Sequence, residues 1–155
     1  MRYDEQMSVK HISVSEARAL QEQGAVYLDV RSTLEFLDGH PAGAVNVPLL
    51  EPDEETGQMM LNPDFLRVIK ANYPANTRLL VGCQVGGRSM RAAQMLSAFG
   101  FADVTNVRGG FAGAHDPMSG RAVDPGWAES GLPVERDAAP GGAYADLLTT
   151  ADGLR

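Results

Sequence analysis

Short unbroken apolar runs alternate along this chain with stretches in which apolar residues return every third or fourth position. The first rhythm belongs to strands buried on both faces, the second to amphipathic helices. Val9 to Ile12 is expected to form a short edge strand. Ser13-Val14-Ser15-Glu16 has capping-box spacing, with Ser13 as N-cap and Glu16 reaching back. The helix that follows is expected to bury Val14, Ala17 and Leu20 and to close at Gly24. Ala25 to Val30, apolar and rich in β formers, reads as a central strand. Gly39 to Pro48 reads as a loop with a brief extended piece at Ala44 to Val47, and Glu51 to Gln58, with four carboxylates, as a solvated surface loop.

Asn62-Pro63 has the form of an N-cap followed by proline at the first helical position. Phe65, Leu66 and Ile69 then mark a buried stripe, and Pro74 stops the helix. Leu79 to Val81 is the next buried strand. From Ser89 to Phe99, Ala92, Leu96 and Phe99 recur at helical spacing; Gly100 closes that helix and Phe101 folds back toward Leu96. Val104 to Val107 is a last strand before Gly109-Gly110. Ala112 to Gly126 is small, polar and turn-rich, and Trp127 and Leu132 are expected to anchor the chain on the core. Arg136 to Gly142 reads as a linker and Ala143 to Leu148 as a short helix. Strands alternating with helices predict an α/β domain with an open, mainly parallel sheet flanked by helices on both faces. The expected division is one domain over residues 1–135 and a tail over 136–155.

The 155 residues suffice for one sizeable core. Thirteen basic against twenty acidic residues leave a net charge of −7, which argues against nucleic-acid partners and anionic membranes. Met1 to Ser8 holds no apolar run, and no stretch approaches transmembrane length, so a reduced cytoplasmic setting is expected. Such a setting suits the single cysteine, Cys83, which has no second cysteine for a disulfide or metal site. His11 and His115 are isolated, so no metal site is expected.

Cys83 opens the run Cys83-Gln84-Val85-Gly86-Gly87-Arg88-Ser89 between a buried strand and a helix. In open parallel sheets, ligands gather at the carboxyl ends of strands. A helix N-terminus offers unpaired N–H groups and the positive end of the macrodipole. Gly86 and Gly87 let backbone amides turn inward as an anion nest, and Arg88 adds a fixed positive charge. Together these favour a thiolate at Cys83 and an anion held beside it. A thiolate needs no general base to act as a nucleophile.

Three groups of residues resemble the rhodanese-like domain family. Asp29-Val30-Arg31, Glu35-Phe36, Gly39-His40 and Gly43 to Pro48 resemble its first signature. Cys83-x-x-Gly86-x-Arg88-Ser89 with Ala92-Ala93 and Gly100-Phe101 resembles its active-site loop and helix. Asn106 to Phe111, Trp127 and Gly131 to Val134 resemble its closing segment. The resemblance spans Val9 to Glu135 in the family's order. It implies a single rhodanese-like domain acting as a thiosulfate sulfurtransferase. Cys83 would form the persulfide and Gln84, Val85, Gly86, Gly87, Arg88 and Ser89 would cradle the sulfur or its donor anion. The implied substrates are a small sulfur-donor anion such as thiosulfate and a thiophilic acceptor such as cyanide or a thiol, with a protein acceptor as a further option. No metal or organic cofactor is implied.

Four residues separate Cys83 from Arg88. That length resembles the sulfurtransferase branch, whereas related phosphatases and arsenate reductases have a cradle one residue longer. Two other readings stay open: an oxyanion hydrolase or reductase, and a persulfide-carrying interaction module that uses the unassigned Gly113 to Pro125 segment and the tail. Arg88 either touches substrate or holds the loop to a carboxylate. Asp29, Arg31, Glu35 and His40 are expected to be supporting residues, with Arg31 pairing with Glu35 or Asp29 bonding loop amides. Asp53-Glu54-Glu55 reads as a solvated face.

Overall fold

A computed structural model describes residues 9–154; the leaderless reading of Met1 to Ser8 lies outside them. Strand β1 (Lys10–Ile12) leads into helix α1 (Val14–Glu22), then β2 (Val26–Asp29), α2 (Thr33–Leu37), β3 (His40–Pro41) and β4 (Val45–Asn46). A hairpin, β5 (Leu50–Pro52) and β6 (Met59–Leu61), precedes α3 (Phe65–Asn72), β7 (Arg78–Gly82), α4 (Gly87–Ala98) and β8 (Asp103–Val107). Short strands β9 (Ala114–His115), β10 (Ala122–Asp124) and β11 (Val134–Glu135) lead to α5 (Tyr144–Gly153). The central sheet has the order β1-β8-β7-β2-β4 with every pairing parallel, so β1 is an edge strand.

Side-chain alternation along the strands separates two cores. On one face Leu28, Leu79, Val81 and Val104 pack with Phe65, Val68 and Ile69 of α3, Ala92, Ala93 and Leu96 of α4, and Leu147 and Ala151 of α5. On the other, Tyr27, Leu80 and Val107 pack with Val14 and Ala17 of α1, Phe36 of α2, and Trp127. Helices therefore cover both faces of the sheet. The α1 capping box forms in both directions, Glu16 N to Ser13 Oγ at 3.2 Å and Ser13 N to Glu16 Oε1 at 3.0 Å.

Several local expectations change. Thr33–Leu37 is a helix because Ser32 and Glu35 form a second capping box within what the apolar pattern left unassigned. The acidic segment is the turn of the β5–β6 hairpin: Asp53 gathers the Glu55 and Thr56 amides, and Glu51 reaches back to Thr33. The N-cap of α3 is Asp64; Asn62 instead accepts from the Asp64 amide and donates to the Pro48 carbonyl and the Tyr144 hydroxyl. Phe99 is exposed, its ring beneath the Lys70 ammonium, while Phe101 is buried. The β9–β10 hairpin occupies Gly113 to Pro125. Helix α5 docks on α3 through Leu147, through Asn72 donating to the Leu147 carbonyl at 2.9 Å, and through Arg67 to Asp152 at 3.1 Å.

Among the described residues no helix is long and apolar enough to cross a membrane. Trp127 is fully buried, lies edge-on to Tyr27 with ring centroids 5.3 Å apart, and donates from Nε1 to the Pro133 carbonyl at 2.7 Å. It fastens the segment after β10 to the α1 face. Trp127→Ala is expected to cost about 3–5 kcal/mol, read as a lower midpoint in urea unfolding.

Candidate functional site

Strand β7 ends at Gly82, where no side chain fits, since a Cβ would fall 2.0 Å from the Tyr27 hydroxyl. Cys83 follows, at the carboxyl end of the sheet, with only 2% of its surface exposed. The loop then turns through Gly86 at φ +134°, a backbone conformation that L side chains rarely adopt, and enters α4. This turn aims two amides at the sulfur: Gly86 N at 3.1 Å and Ser89 N at 3.3 Å from Cys83 Sγ. Ser89 Oγ lies 3.4 Å from the same sulfur and donates to Asn106 Oδ1 at 2.7 Å. The sulfur thus has polar partners on its loop side, while the residue itself packs in the apolar core with Val81, Ala92, Ala93 and Leu96.

The carbonyls of the loop's first residues face away. Cys83 O accepts from Phe111 N at 2.7 Å, and Gln84 O accepts from Ala112 N at 2.9 Å. The closing segment comes this near only because residue 110 is glycine, whose Cβ would otherwise lie 2.2 Å from Cys83 O. Gln84 is half-buried and accepts from Arg31 through Oε1; Val85 is exposed at the rim, and Gly87 is exposed at the helix start.

Arg88 is bidentate to Glu35, Nη1 to Oε1 at 2.6 Å and Nη2 to Oε2 at 3.0 Å. Its guanidinium therefore ties the loop to α2. Those bonds, with help from Ser32, hold the Glu35 carboxyl down at about 2 against the opposing effect of burial, and they raise Arg88. Arg31 pairs with Asp29 and not with Glu35. Its Nε and Nη2 bond the Asp29 carboxylate at 2.8 to 3.2 Å, Nη2 reaches Gly39 O, Nη1 reaches Gln84, and the plane lies 4.5 Å from the Phe111 ring centroid. His40 is buried against Phe36 and donates from Nδ1 to the Phe36 carbonyl at 2.7 Å, in the antiparallel β3–β11 pair. The structure thus gathers three bonded groups around the loop, Cys83 with Gly86 and Ser89, Arg31 with Asp29 and Gln84, and Arg88 with Glu35, while His40 bonds the Phe36 carbonyl instead.

Residues 13–116 match the family model described as the rhodanese-like domain. The chain belongs to this family. This rhodanese-like domain is 36% identical over 124 residues to thiosulfate sulfurtransferase 16, chloroplastic, of Arabidopsis thaliana, covering 80% of this chain and 91% of that one. It is 35% identical over 124 residues to senescence-associated protein DIN1 of Raphanus sativus, again over 80% of this chain but 60% of the relative, so it spans about three-fifths of that protein. The crystal structure of Rv0390 from M. tuberculosis superposes with a TM-score of 0.67 at 26% identity, over 83% of this chain and 98% of that one. The relative named for the activity places the chain in a sulfurtransferase family.

Two asparagines carry more of this rhodanese-like domain's site than a motif reading assigns them. Asn46 donates to the Asp29 and Arg31 carbonyls at 3.0 Å each, and Asn106 holds Ser89. The signal for both is an amide side chain followed by a valine in a strand that reads as buried, Asn46-Val47 and Asn106-Val107. Among the described residues no cluster of three or more His, Cys, Asp or Glu is placed to hold a metal ion.

Because Glu35 is lower in the folded chain than its ordinary 4.5, its pairing stabilises fully above that value and is lost as pH falls toward about 2. Glu35→Gln is expected to cost about 1 kcal/mol or less at neutral pH, since the pair is partly exposed and screened. The stability gap between wild type and variant, from denaturant unfolding at a series of pH values, should narrow between those two limits.

Proposed function

We propose that this rhodanese-like domain is a thiosulfate sulfurtransferase that carries sulfane sulfur as a persulfide on Cys83. The observation that carries the reading is the pair of amides, Gly86 and Ser89, directed at Cys83 Sγ. Fixed dipoles around a sulfur anion stabilise it without reorganisation at the moment of reaction. The Cys83 thiolate attacks the outer sulfur of thiosulfate. The S–S bond of the donor breaks and sulfite leaves with its electron pair, so Cys83 gains one sulfur and the charge balances. A nucleophilic acceptor, cyanide or a thiolate, then takes that sulfur, and the electron pair of the breaking S–S bond returns to Cys83.

In this scheme Gln84 to Ser89 surround the transferred sulfur, and the scheme uses no metal or organic cofactor. Arg88, paired with Glu35, holds the loop to α2. Asp29, Arg31 and His40 hold the strand ends and loops on which the cradle is built. The cradle of four residues between Cys83 and Arg88 suits a single sulfur better than a tetrahedral oxyanion.

Intact-mass measurement after exposure to thiosulfate is expected to show one added sulfur on wild type, with sulfite released and thiocyanate formed when cyanide is added. Cys83→Ser should take up no sulfur and show only background thiocyanate. A variant that made thiocyanate at the wild-type rate would remove Cys83 from the reaction.

A further inference from the structure

Gly86 belongs to two sites. Its N–H reaches Cys83 Sγ, and the residue also forms one wall of a cavity of about 320 Å³ between β1, α4, the end of β8 and β10. That volume falls at the lower end of small-molecule sites, roughly 300–1,000 Å³. Val85 and Met90 supply apolar wall, while His11, Arg108 and Asp124 supply polar wall. Arg108 and Asp124 make no ion pair with each other or with another described residue. Glu16 of α1 senses the Arg108 charge only through space.

A cation and an anion that line one cavity without neutralising each other leave room for a ligand carrying the opposite pair. A simple anion would meet Asp124, and a simple cation would meet Arg108. The cavity is also coupled to the cysteine loop by bonds: Asn106 spans from Ser89 Oγ at 2.7 Å to His11 Nδ1 at 3.3 Å.

We infer that this cavity seats the sulfur acceptor, a small thiol bearing both a carboxylate and an ammonium group. Its carboxylate lies toward Arg108, its ammonium toward Asp124, and its stem against Val85 and Met90. The inference rests on the reading of Cys83 as sulfur carrier. The acceptor gives its proton to water, and its thiolate attacks the outer persulfide sulfur where that atom reaches the cavity beside Gly86. The Cys83 S–S bond breaks with its pair returning to Cys83, and the acceptor leaves as a persulfide. No oxidant or reductant is consumed.

The test compares kcat/KM for L-cysteine, mercaptoacetate, cysteamine and 2-mercaptoethanol, each divided by that for cyanide, in wild type, Arg108→Gln and Asp124→Asn. Losing one charged contact is expected to lower the ratio about tenfold. Arg108→Gln should do so for cysteine and mercaptoacetate only, and Asp124→Asn for cysteine and cysteamine only. Equal losses for all four thiols, or none, would overturn the inference. Titration with S-methyl-L-cysteine, which cannot accept sulfur, reads binding without turnover: amide NMR shifts at Met90, Arg108 and Asp124 are expected in wild type and weakened in both variants. Their absence overturns the inference whether or not Cys83 takes up sulfur. Failure of the thiosulfate mass shift, in contrast, overturns the sulfur-carrier reading itself.

Discussion

One buried guanidinium organises the carboxyl end of this sheet. Arg31 is almost wholly removed from water, and the adjacent Asp29 carboxylate supplies the compensating charge on the same strand end. A charge so buried is tolerated only when it is paired and its remaining donors are used. Here they are used on the Gly39 carbonyl and the Gln84 side chain, and the face is used on Phe111. Four separate pieces of chain are thereby fixed against one another: the end of β2, the turn after α2, the cysteine loop and the closing segment. An arginine-to-lysine exchange would keep the charge but lose the planar fork that reaches them all.

A second ion pair of different character completes the frame. Arg88 and Glu35 are partly open to solvent, so their worth lies less in stability than in direction. They join α2 to the first turn of α4 and leave the cation beside the thiol loop, not folded over it.

The sheet and its helices were legible because their signals are local and redundant. The apolar run at 79–81 and the β formers at 26–30 and 104–107 mark buried strands, and the Ser13–Glu16 box marks its own helix. Cys83, its glycines and Arg88 were legible for a similar reason, since the residue types and the chemistry coincide. What escaped depends on contacts between distant segments. The helix 33–37 has one buried apolar residue, Phe36, so periodicity is silent there and only the Ser32 cap announces it. The acidic stretch 51–58 is exposed from residue 52 on, as its carboxylates indicate, but its hairpin and the bonds that Glu51 accepts from Thr33 follow from no spacing rule. Asn62 bonds across 82 positions to Tyr144, which drew it out of a capping role. The choice of Asp29 over Glu35 as the partner of Arg31 likewise follows from Glu35 being claimed by Arg88.

Peptide planarity gives the closing segment a reach beyond its own packing. A rigid peptide unit that turns its oxygen toward Phe111 or Ala112 must point its N–H the opposite way. By drawing two lone-pair-bearing groups outward, residues 111 and 112 remove the nearest source of electrostatic repulsion for an incoming anion. The amides aimed at the sulfur, on Gly86 and Ser89, belong to later peptide units and are set by the turn into α4. A stretch of chain that never enters the pocket thus orients the first two peptide planes of its loop.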